Sequence, residues 1–253
     1  MNTIYRLLNF SFFLLYVSLT NAASVETLDG LAKIPLDIYK SNVKDSPTIV
    51  YAHGCSGYDN FDIQKARQIR SWGYNVVVAE YTVGRGVANQ TDSNGKNVTC
   101  SQGWRAYPMQ LRADDLIAVG NWILKQEWHK GKLGAIGFSL GGGAVEYLVN
   151  TTNRPNPYAA GVAFYPYCRY VLSPTETTLP NQFHIPALDE GVEKCIGLNK
   201  QENRHTIFLY EGATHAFDND WGGTNRNGYR YDREATTLAF ERVKTFFDAQ
   251  IKN

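Results

Sequence analysis

One short segment has the spacing of a serine nucleophile, Gly137-Phe138-Ser139-Leu140-Gly141. This G-x-S-x-G pattern is typical of a sharp turn between a strand and a helix. Residues 132–136, which precede it, form a short and mostly apolar segment that can supply the strand. Glycine has no Cβ, so such a turn can pack tightly while the serine hydroxyl projects from the sheet. The following helix would direct backbone N–H groups at the same place, where they could bind a developing oxyanion. The segment therefore predicts nucleophilic catalysis by Ser139.

A serine hydroxyl is a weak nucleophile at neutral pH, so Ser139 needs a neighbouring base. The chain has five histidines, and His215 directly follows the last predicted strand. Because the carboxyl ends of parallel strands meet at one edge of a sheet, we expect His215 on the same side as Ser139. His53 lies in a tight turn and is interpreted as ordering that turn. The remaining three lie in polar segments and are predicted at the surface: His129, His184 and His205.

An oxyanion hole requires two backbone donors near the nucleophile. The amide of Leu140, which follows the serine, is the first candidate. The second should come from the turn after the predicted strand 48–52, and we select the amide of Cys55.

Strands and helices alternate along the chain, which indicates a mostly parallel sheet with helices on both faces. Residues 34–39 alternate in polarity and predict an early antiparallel strand. A long polar loop without periodicity covers residues 84–108, and loops of this length are usually functional or mobile. The other predicted strands cover residues 48–52, 75–79, 132–136, 160–164 and 206–210, and the predicted helices cover residues 61–72, 109–126 and 232–251.

The first 22 residues predict a signal peptide. Arg6 supplies a positive start, residues 10–19 are apolar, and Thr20-Asn21-Ala22 ends in small residues. A membrane anchor is the alternative, but the apolar run is shorter than the roughly 20 residues that span a bilayer. We therefore expect a secreted or periplasmic protein whose residues 23–253 form one domain. The formal net charge of +1, with mixed signs, argues against a nucleic-acid partner.

The chain contains four cysteines, Cys55, Cys100, Cys168 and Cys195. An even number in an exported protein predicts two disulfides, for which three connectivities are possible. None of the cysteines has the spacing of a metal ligand, so no metal site is predicted.

Taken together, six motifs resemble exported members of the dienelactone hydrolase family of α/β-hydrolases. The resemblance implies the α/β-hydrolase fold, a triad in the order Ser…Asp…His, no cofactor, and hydrolysis of a small-molecule ester or lactone. The founding enzymes use a cysteine nucleophile, whereas this chain has Ser139. The motifs are His53-Gly54-Cys55-Ser56-Gly57, Gly84-Arg85-Gly86, Arg112 with Asp115, Gly137-Phe138-Ser139-Leu140-Gly141-Gly142, Phe164-Tyr165-Pro166-Tyr167-Cys168 and Gly212-Ala213-Thr214-His215-Ala216-Phe217.

The same resemblance suggests further pairings and roles. The order of the family's elements would place Cys55 near Cys100 and Cys168 near Cys195. Arg85 matches an arginine that some relatives direct at a substrate carboxylate, although a salt bridge is an equal alternative.

The segment from Ile185-Pro186 to Cys195 departs from the family pattern. Relatives carry an apolar strand and a Gly-x-x-Asp turn between such a pair and the next cysteine, and here the intervening segment is too short for both. We therefore expect that the sheet lacks one late strand. Asp189 keeps the order of a triad acid and is the preferred candidate, with Glu190 and Glu193 as rivals.

The leading hypothesis is an exported serine hydrolase of small esters or lactones. Ser139 attacks, His215 transfers the proton, and Asp189 orients His215. A second hypothesis, motivated by the shortened segment, is a non-catalytic homologue that binds a ligand or partner. A weaker third hypothesis is an exopeptidase of related fold. It is weaker because the sequence shows no specificity domain before the predicted hydrolase domain.

Overall fold

The computed structural model describes residues 23–88, 90–91, 93, 98–101, 107–151, 154–168, 179–199, 205–220, 223 and 227–252. The predicted signal peptide, residues 1–22, lies outside the described residues, as does part of the long polar loop.

An eight-stranded sheet forms the centre of the protein, in the order β1-β2-β4-β3-β5-β6-β7-β8. The first two strands run antiparallel to their neighbours, and all other pairs are parallel. The predicted mostly parallel sheet with an early antiparallel strand is therefore confirmed. The strands are β1 (Ser24–Glu26), β2 (Lys33–Tyr39), β3 (Thr48–Ala52), β4 (Asn75–Ala79), β5 (Leu133–Phe138), β6 (Tyr158–Phe164), β7 (Asn181–Pro186) and β8 (His205–Tyr210).

Helices cover both faces of this sheet, as predicted. The helices are α1 (Asn60–Ser71), α2 (Tyr81–Gly84), α3 (Val98–Ser101), α4 (Met109–Ile123), α5 (Leu140–Val149), α6 (Val192–Asn199) and α7 (Arg233–Ile251). Helices α1 and α7 pack on one face and α4 and α5 on the other, so β3 is buried on both. Two aspartates begin the helices of the first face: Asp59 caps α1 in a capping box with Asp62, and Asp232 caps α7.

Alternation of side chains along β3 divides the core into two apolar clusters. Val50 and Ala52 point toward the α4–α5 face, whereas Ile49 and Tyr51 point toward the α1–α7 face. The helical spacing of apolar residues predicts that Leu238 of α7 faces the core, but in the structure it is 39% exposed. The apolar stripe of α7 is formed by its neighbours, including Ala239 and Val243.

The expected loss of a late strand is wrong, because β7 fills the place between β6 and β8. It pairs in parallel with both neighbours, and all six of its residues are buried. Its polar residues conceal the strand in the sequence, but two of them, Asn181 and His184, have side-chain partners on β8 in the structure. The side-chain oxygen of Asn181, for example, bonds the ring of His205 at 2.9 Å. Ile185-Pro186 therefore ends a strand, and Asp189 lies in the turn that follows.

The three histidines predicted at the surface are also buried, and each ring has a polar partner. The Nδ1 atom of His129 lies 2.8 Å from the Thr48 hydroxyl. That of His184 lies 2.7 Å from the Tyr210 hydroxyl, while its ring stacks on Phe164. The prediction of surface positions from the polarity of the neighbouring residues is wrong. A neutral imidazole with a hydrogen-bond partner can be buried at little cost in free energy.

Burial of His184 should make the protein less stable as the pH falls. Burial, together with the charge of Arg242, lowers the pKa of His184 from 6.5 to about 3. The unfolded chain thus binds a proton below pH 6.5 that the folded chain accepts only near pH 3. Stability is therefore full above pH 6.5 and falls by up to about 1.4 kcal/mol per pH unit between these values because of this residue.

The slope of the unfolding free energy against pH is proportional to the number of protons that the chain takes up on unfolding. We expect His184→Phe to lower this number by about one. Phenylalanine retains the aromatic packing, and the Tyr210 hydroxyl retains Arg242 as a partner at 3.2 Å. Urea denaturation from pH 4 to 8 measures the slope. An unchanged slope would show that His184 titrates alike in the folded and unfolded states.

Candidate active site

Ser139 lies on a strained turn between β5 and α5. Its φ of 54° is in the left-handed region, which costs a non-glycine residue about 1–3 kcal/mol. Hydrogen bonds hold the turn: the Ser139 amide donates to the Phe164 carbonyl at 3.0 Å, and the Ser139 carbonyl accepts from the Gly143 amide at 2.8 Å. The turn leaves Ser139 partly exposed at the carboxyl edge of the sheet.

The glycines of the motif are required by close approaches of the backbone. A Cβ on Gly137 would overlap the carbonyl of Gly141, and a Cβ on Gly141 would overlap the carbonyl of Ala52. A Cβ on Gly142 would lie 2.5 Å from the carbonyl oxygen of Phe164. These positions cannot accept a side chain without moving the backbone that presents Ser139.

The imidazole of His215 lies between Ser139 and Asp189. Its Nε2 atom is 3.0 Å from the Ser139 hydroxyl, and its Nδ1 atom is 2.7 Å from Oδ2 of Asp189. A carboxylate only accepts, so the ring carries its proton on Nδ1 and presents the lone pair of Nε2 to the hydroxyl. Both rivals for the acid, Glu190 and Glu193, are exposed to solvent.

Two tyrosines hold the ring of His215. The ring centroid lies 4.6 Å from that of Tyr165 and 5.0 Å from that of Tyr229. The Tyr165 hydroxyl donates to Asp218 at 2.7 Å, and Asp218 forms a buried ion pair with Lys65 at 3.1 Å. The ring contacts, together with the hydrogen bond and the ion pair of Asp218, fix the orientation of the His215 imidazole.

The turn after β3 lies against Ser139. A Cβ built on Gly54 would be 3.7 Å from the Cβ of Ser139. Burial lowers the pKa of His53 to about 4, so its neutral ring donates from Nδ1 to the Gly54 carbonyl at 2.8 Å. The ring stacks on Tyr81 at 4.4 Å, and the Tyr81 hydroxyl donates to the His53 carbonyl. The ring of His53 therefore orders the turn.

The two residues predicted to supply the oxyanion donors belong to the two segments that meet at Ser139. Cys55 belongs to the turn after β3, and Leu140 is the first residue of α5. The first hydrogen bond within α5 runs from the Gly143 amide to the Ser139 carbonyl, so the Leu140 amide has no acceptor within the helix.

Two disulfides form with the pairing that the family resemblance implied. Cys55 joins Cys100, which ties the turn after β3 to α3. Cys168 joins Cys195, which ties the segment after β6 to α6. Disulfides of this kind are consistent with an oxidising compartment.

Arg85 belongs to a network of ion pairs. Its guanidinium donates to both oxygens of Asp115, at 2.9 and 2.5 Å, and to Asp29 at 2.7 Å. The side chain is only 9% exposed, and the Tyr107 hydroxyl also donates to Asp115. Of the two interpretations open from the sequence, this arrangement corresponds to the salt bridge.

Sequence reasoning assigned no role to the tyrosines around the site. Tyr165 and Tyr167 belong to one of the motifs that resemble the family, which was the only available signal. In the structure the ring of Tyr165 contacts that of His215, and the ring of Tyr167 lies beside Gly143 in the first turn of α5. Tyr229, whose ring is tilted against that of His215, follows a segment that no motif marks.

The fold and the geometry of the site define an α/β-hydrolase. Within this class the chain belongs to the dienelactone hydrolase family, whose sequence profile matches residues 36–251. The prediction of this family is therefore confirmed, and membership indicates a hydrolase. No curated protein sequence matches the chain significantly.

Several solved structures share the fold. A dienelactone hydrolase-like promiscuous phosphotriesterase from metagenomic libraries has a TM-score of 0.73 and 18% identity, covering 91% of this chain and 98% of its own. A putative dienelactone hydrolase from Klebsiella pneumoniae has a TM-score of 0.71 and 18% identity. The match covers 89% of this chain and 97% of that hydrolase. Est1E from Butyrivibrio proteoclasticus, solved with ferulic acid bound, has a TM-score of 0.61 and 15% identity, covering 90% and 99%.

Among the helices that the structure describes, none combines the length and the apolar character needed to cross a bilayer.

Proposed function

We propose that the protein is an exported serine hydrolase of small carboxylic esters or lactones that acts through an acyl-enzyme. One observation carries the proposal: His215 bridges Ser139 at 3.0 Å and Asp189 at 2.7 Å. This is the arrangement of nucleophile, base and orienting acid that acyl transfer requires.

In the proposed reaction the Ser139 oxygen attacks the substrate carbonyl carbon while Nε2 of His215 takes the hydroxyl proton. The amides of Cys55 and Leu140 bind the resulting oxyanion, and such donors are worth a few kcal/mol of barrier. His215 then donates its proton to the departing alcohol oxygen, which leaves an acyl group on Ser139. A water molecule, deprotonated by His215, attacks this acyl group, and His215 then returns the proton to the Ser139 oxygen as the carboxylic acid leaves.

Asp189 has two tasks in this mechanism. It keeps the proton of neutral His215 on Nδ1, and it stabilises the imidazolium that forms during each attack. The mechanism needs no cofactor, and its partner is a small-molecule substrate.

Export is part of the proposal. Residues 1–22 would be removed as a signal peptide, and residues 23–253 would form the mature domain. The two disulfides support a secreted or periplasmic location.

The non-catalytic alternative depended on an absent triad acid. The contact between Asp189 and His215 removes the observation that favoured it.

Labelling with a fluorophosphonate tests the proposal directly, because this reagent phosphonylates only an activated serine. After reduction of the Cys168–Cys195 disulfide, trypsin should release residues 133–169 as one peptide, since Arg154 precedes a proline, and Ser139 is its only serine. We expect stoichiometric labelling of this peptide in the folded protein and none after denaturation. Labelling at another serine, or none in the folded protein, would contradict the proposal.

A further inference from the structure

A groove lies between helices α1 and α7, away from the triad. Its volume is about 700 Å³. The side chains that α1 contributes run from Phe61 to Trp72, which lie about 16 Å apart along the helix axis at 1.5 Å per residue. The facing side chains of α7 run from Thr236 to Lys244. The groove therefore has room for a short linear oligomer. It lies on one face of the sheet, whereas Ser139 lies at the carboxyl edge.

Aromatic rings lie at both ends of this groove. Phe61 is in the first turn of α1 and Tyr231 directly precedes α7, so both lie at the end nearest the carboxyl edge of the sheet. At the other end, Trp72 packs edge-on against Phe240, with ring centroids 6.1 Å apart. Phe61, Tyr231 and Trp72 are partly exposed, so a ligand can reach them. The negative face of an aromatic ring attracts the weakly positive C–H groups on one face of a sugar ring.

Two amide side chains lie between these rings. Gln64 and Gln68 are one turn apart on α1, and both are exposed. Within the described part of the chain, neither side chain has a hydrogen-bond partner. A primary amide both donates and accepts hydrogen bonds, as a sugar hydroxyl does. The middle of the groove can therefore bind a ligand that carries several hydroxyl groups.

The charges along the groove argue against an anionic ligand. Both lysines among its described lining residues are already in ion pairs, Lys65 with Asp218 at 3.1 Å and Lys244 with Asp248. Glu241, which is exposed, adds a negative charge. A carboxylate or phosphate would therefore lose hydration without gaining an unpaired cation. A neutral ligand avoids this cost, and its hydroxyls can donate to the Glu241 carboxylate.

We propose that the groove between α1 and α7 is a second binding site, whose ligand is a neutral oligosaccharide of extended shape. Sugar rings stack on the aromatic side chains at the two ends, and the amides of Gln64 and Gln68 bond to the hydroxyls between them. The site would hold the domain on a glycan. It does not depend on the proposed hydrolysis, because binding needs no reaction at Ser139.

Isothermal titration calorimetry with cellotriose, xylotriose and chitotriose tests this site, since all three are neutral and extended. We expect at least one of them to bind with a Kd below about 1 mM. The double substitution Gln64→Ala with Gln68→Ala should weaken this binding about tenfold, because two hydrogen bonds are lost. Alanine is a good helix former, so α1 should be retained. Gln110→Ala is the matched control, because Gln110 is an exposed glutamine of α4 on the opposite face, and it should leave binding unchanged.

Trp72→Ala tests the stacking independently and should weaken binding by at least tenfold, whereas Trp72→Phe keeps an aromatic face and should retain most of the affinity. Thermal unfolding curves check the fold of each variant, and the glutamine variant keeps the test decisive should Trp72→Ala fail to fold.

Three outcomes would overturn the proposal. The first is that none of the three trisaccharides binds. The second is binding that the double glutamine substitution leaves unchanged, which would assign the sugar to another surface. The third is that trigalacturonate or octanoate binds in a way that these variants weaken while the neutral sugars do not bind, which would assign the groove to an anion.

Discussion

Replacing Ser139 by alanine is expected to lower kcat for p-nitrophenyl acetate by a factor on the order of 10⁶. The loss is this large because the acyl-enzyme can no longer form, and only the oxyanion donors and substrate binding remain to assist attack by water. The fold should be retained. Alanine meets the same backbone strain as serine at a φ of 54°, and the variant loses little besides hydrogen bonds of a partly exposed hydroxyl.

The measurement is a steady-state assay beside a thermal unfolding curve for each protein. Ser71→Ala is a matched control, because Ser71 is exposed at the end of α1 and its hydroxyl bonds only locally, to the Gln68 carbonyl. Its activity should equal that of wild type. Turnover retained by folded Ser139→Ala would refute the assignment of the nucleophile.

The exchange of Asp189 for asparagine is expected to lower kcat by about 10⁴ while the geometry of the site is maintained. The amide of asparagine can donate its N–H to Nδ1 of His215, which favours the tautomer that carries the proton on Nε2. His215 then cannot accept the Ser139 proton, and no carboxylate stabilises the imidazolium.

Glu190→Gln and Glu193→Gln are the matched controls, since these residues are the rivals from the same segment. Both are exposed, and we expect each variant to retain nearly full activity. A large loss in either of them, with Asp189→Asn nearly active, would assign the acid to that glutamate. Fluorophosphonate labelling should slow in Asp189→Asn, because the base that activates Ser139 is impaired.

The fold was largely predictable because its strands and helices follow local patterns. The strands at Thr48–Ala52 and Asn75–Ala79 begin and end at the predicted residues, since continuous apolar, β-branched runs are typical of buried parallel strands. Strand β7 was missed because Asn181, Gln182 and His184 make it polar. Its burial depends on partners supplied by β8, such as Tyr210 and His205, which no local pattern reveals.

The candidate site divides in the same way. Asp189, Glu190 and Glu193 all lie between Ser139 and His215 in the chain, so chain order alone cannot choose the acid among them. The direction in which each side chain points decides that the Asp189 carboxylate meets His215. Tyr165 lay within a family motif without a role, because its ring meets His215 only once β6 and β8 are joined through β7 in one sheet.

The amino-acid sequence by itself determined the nucleophile turn, since glycines at 137 and 141 permit backbone contacts that any Cβ would block. It also determined the alternation of strands and helices, because apolar periodicity acts over a few residues. Only the tertiary structure decided that His215 meets Ser139 across 76 residues of chain and Asp189 across 26. The register of parallel strands sets these distances, and register follows from the packing of the whole sheet rather than from any one segment.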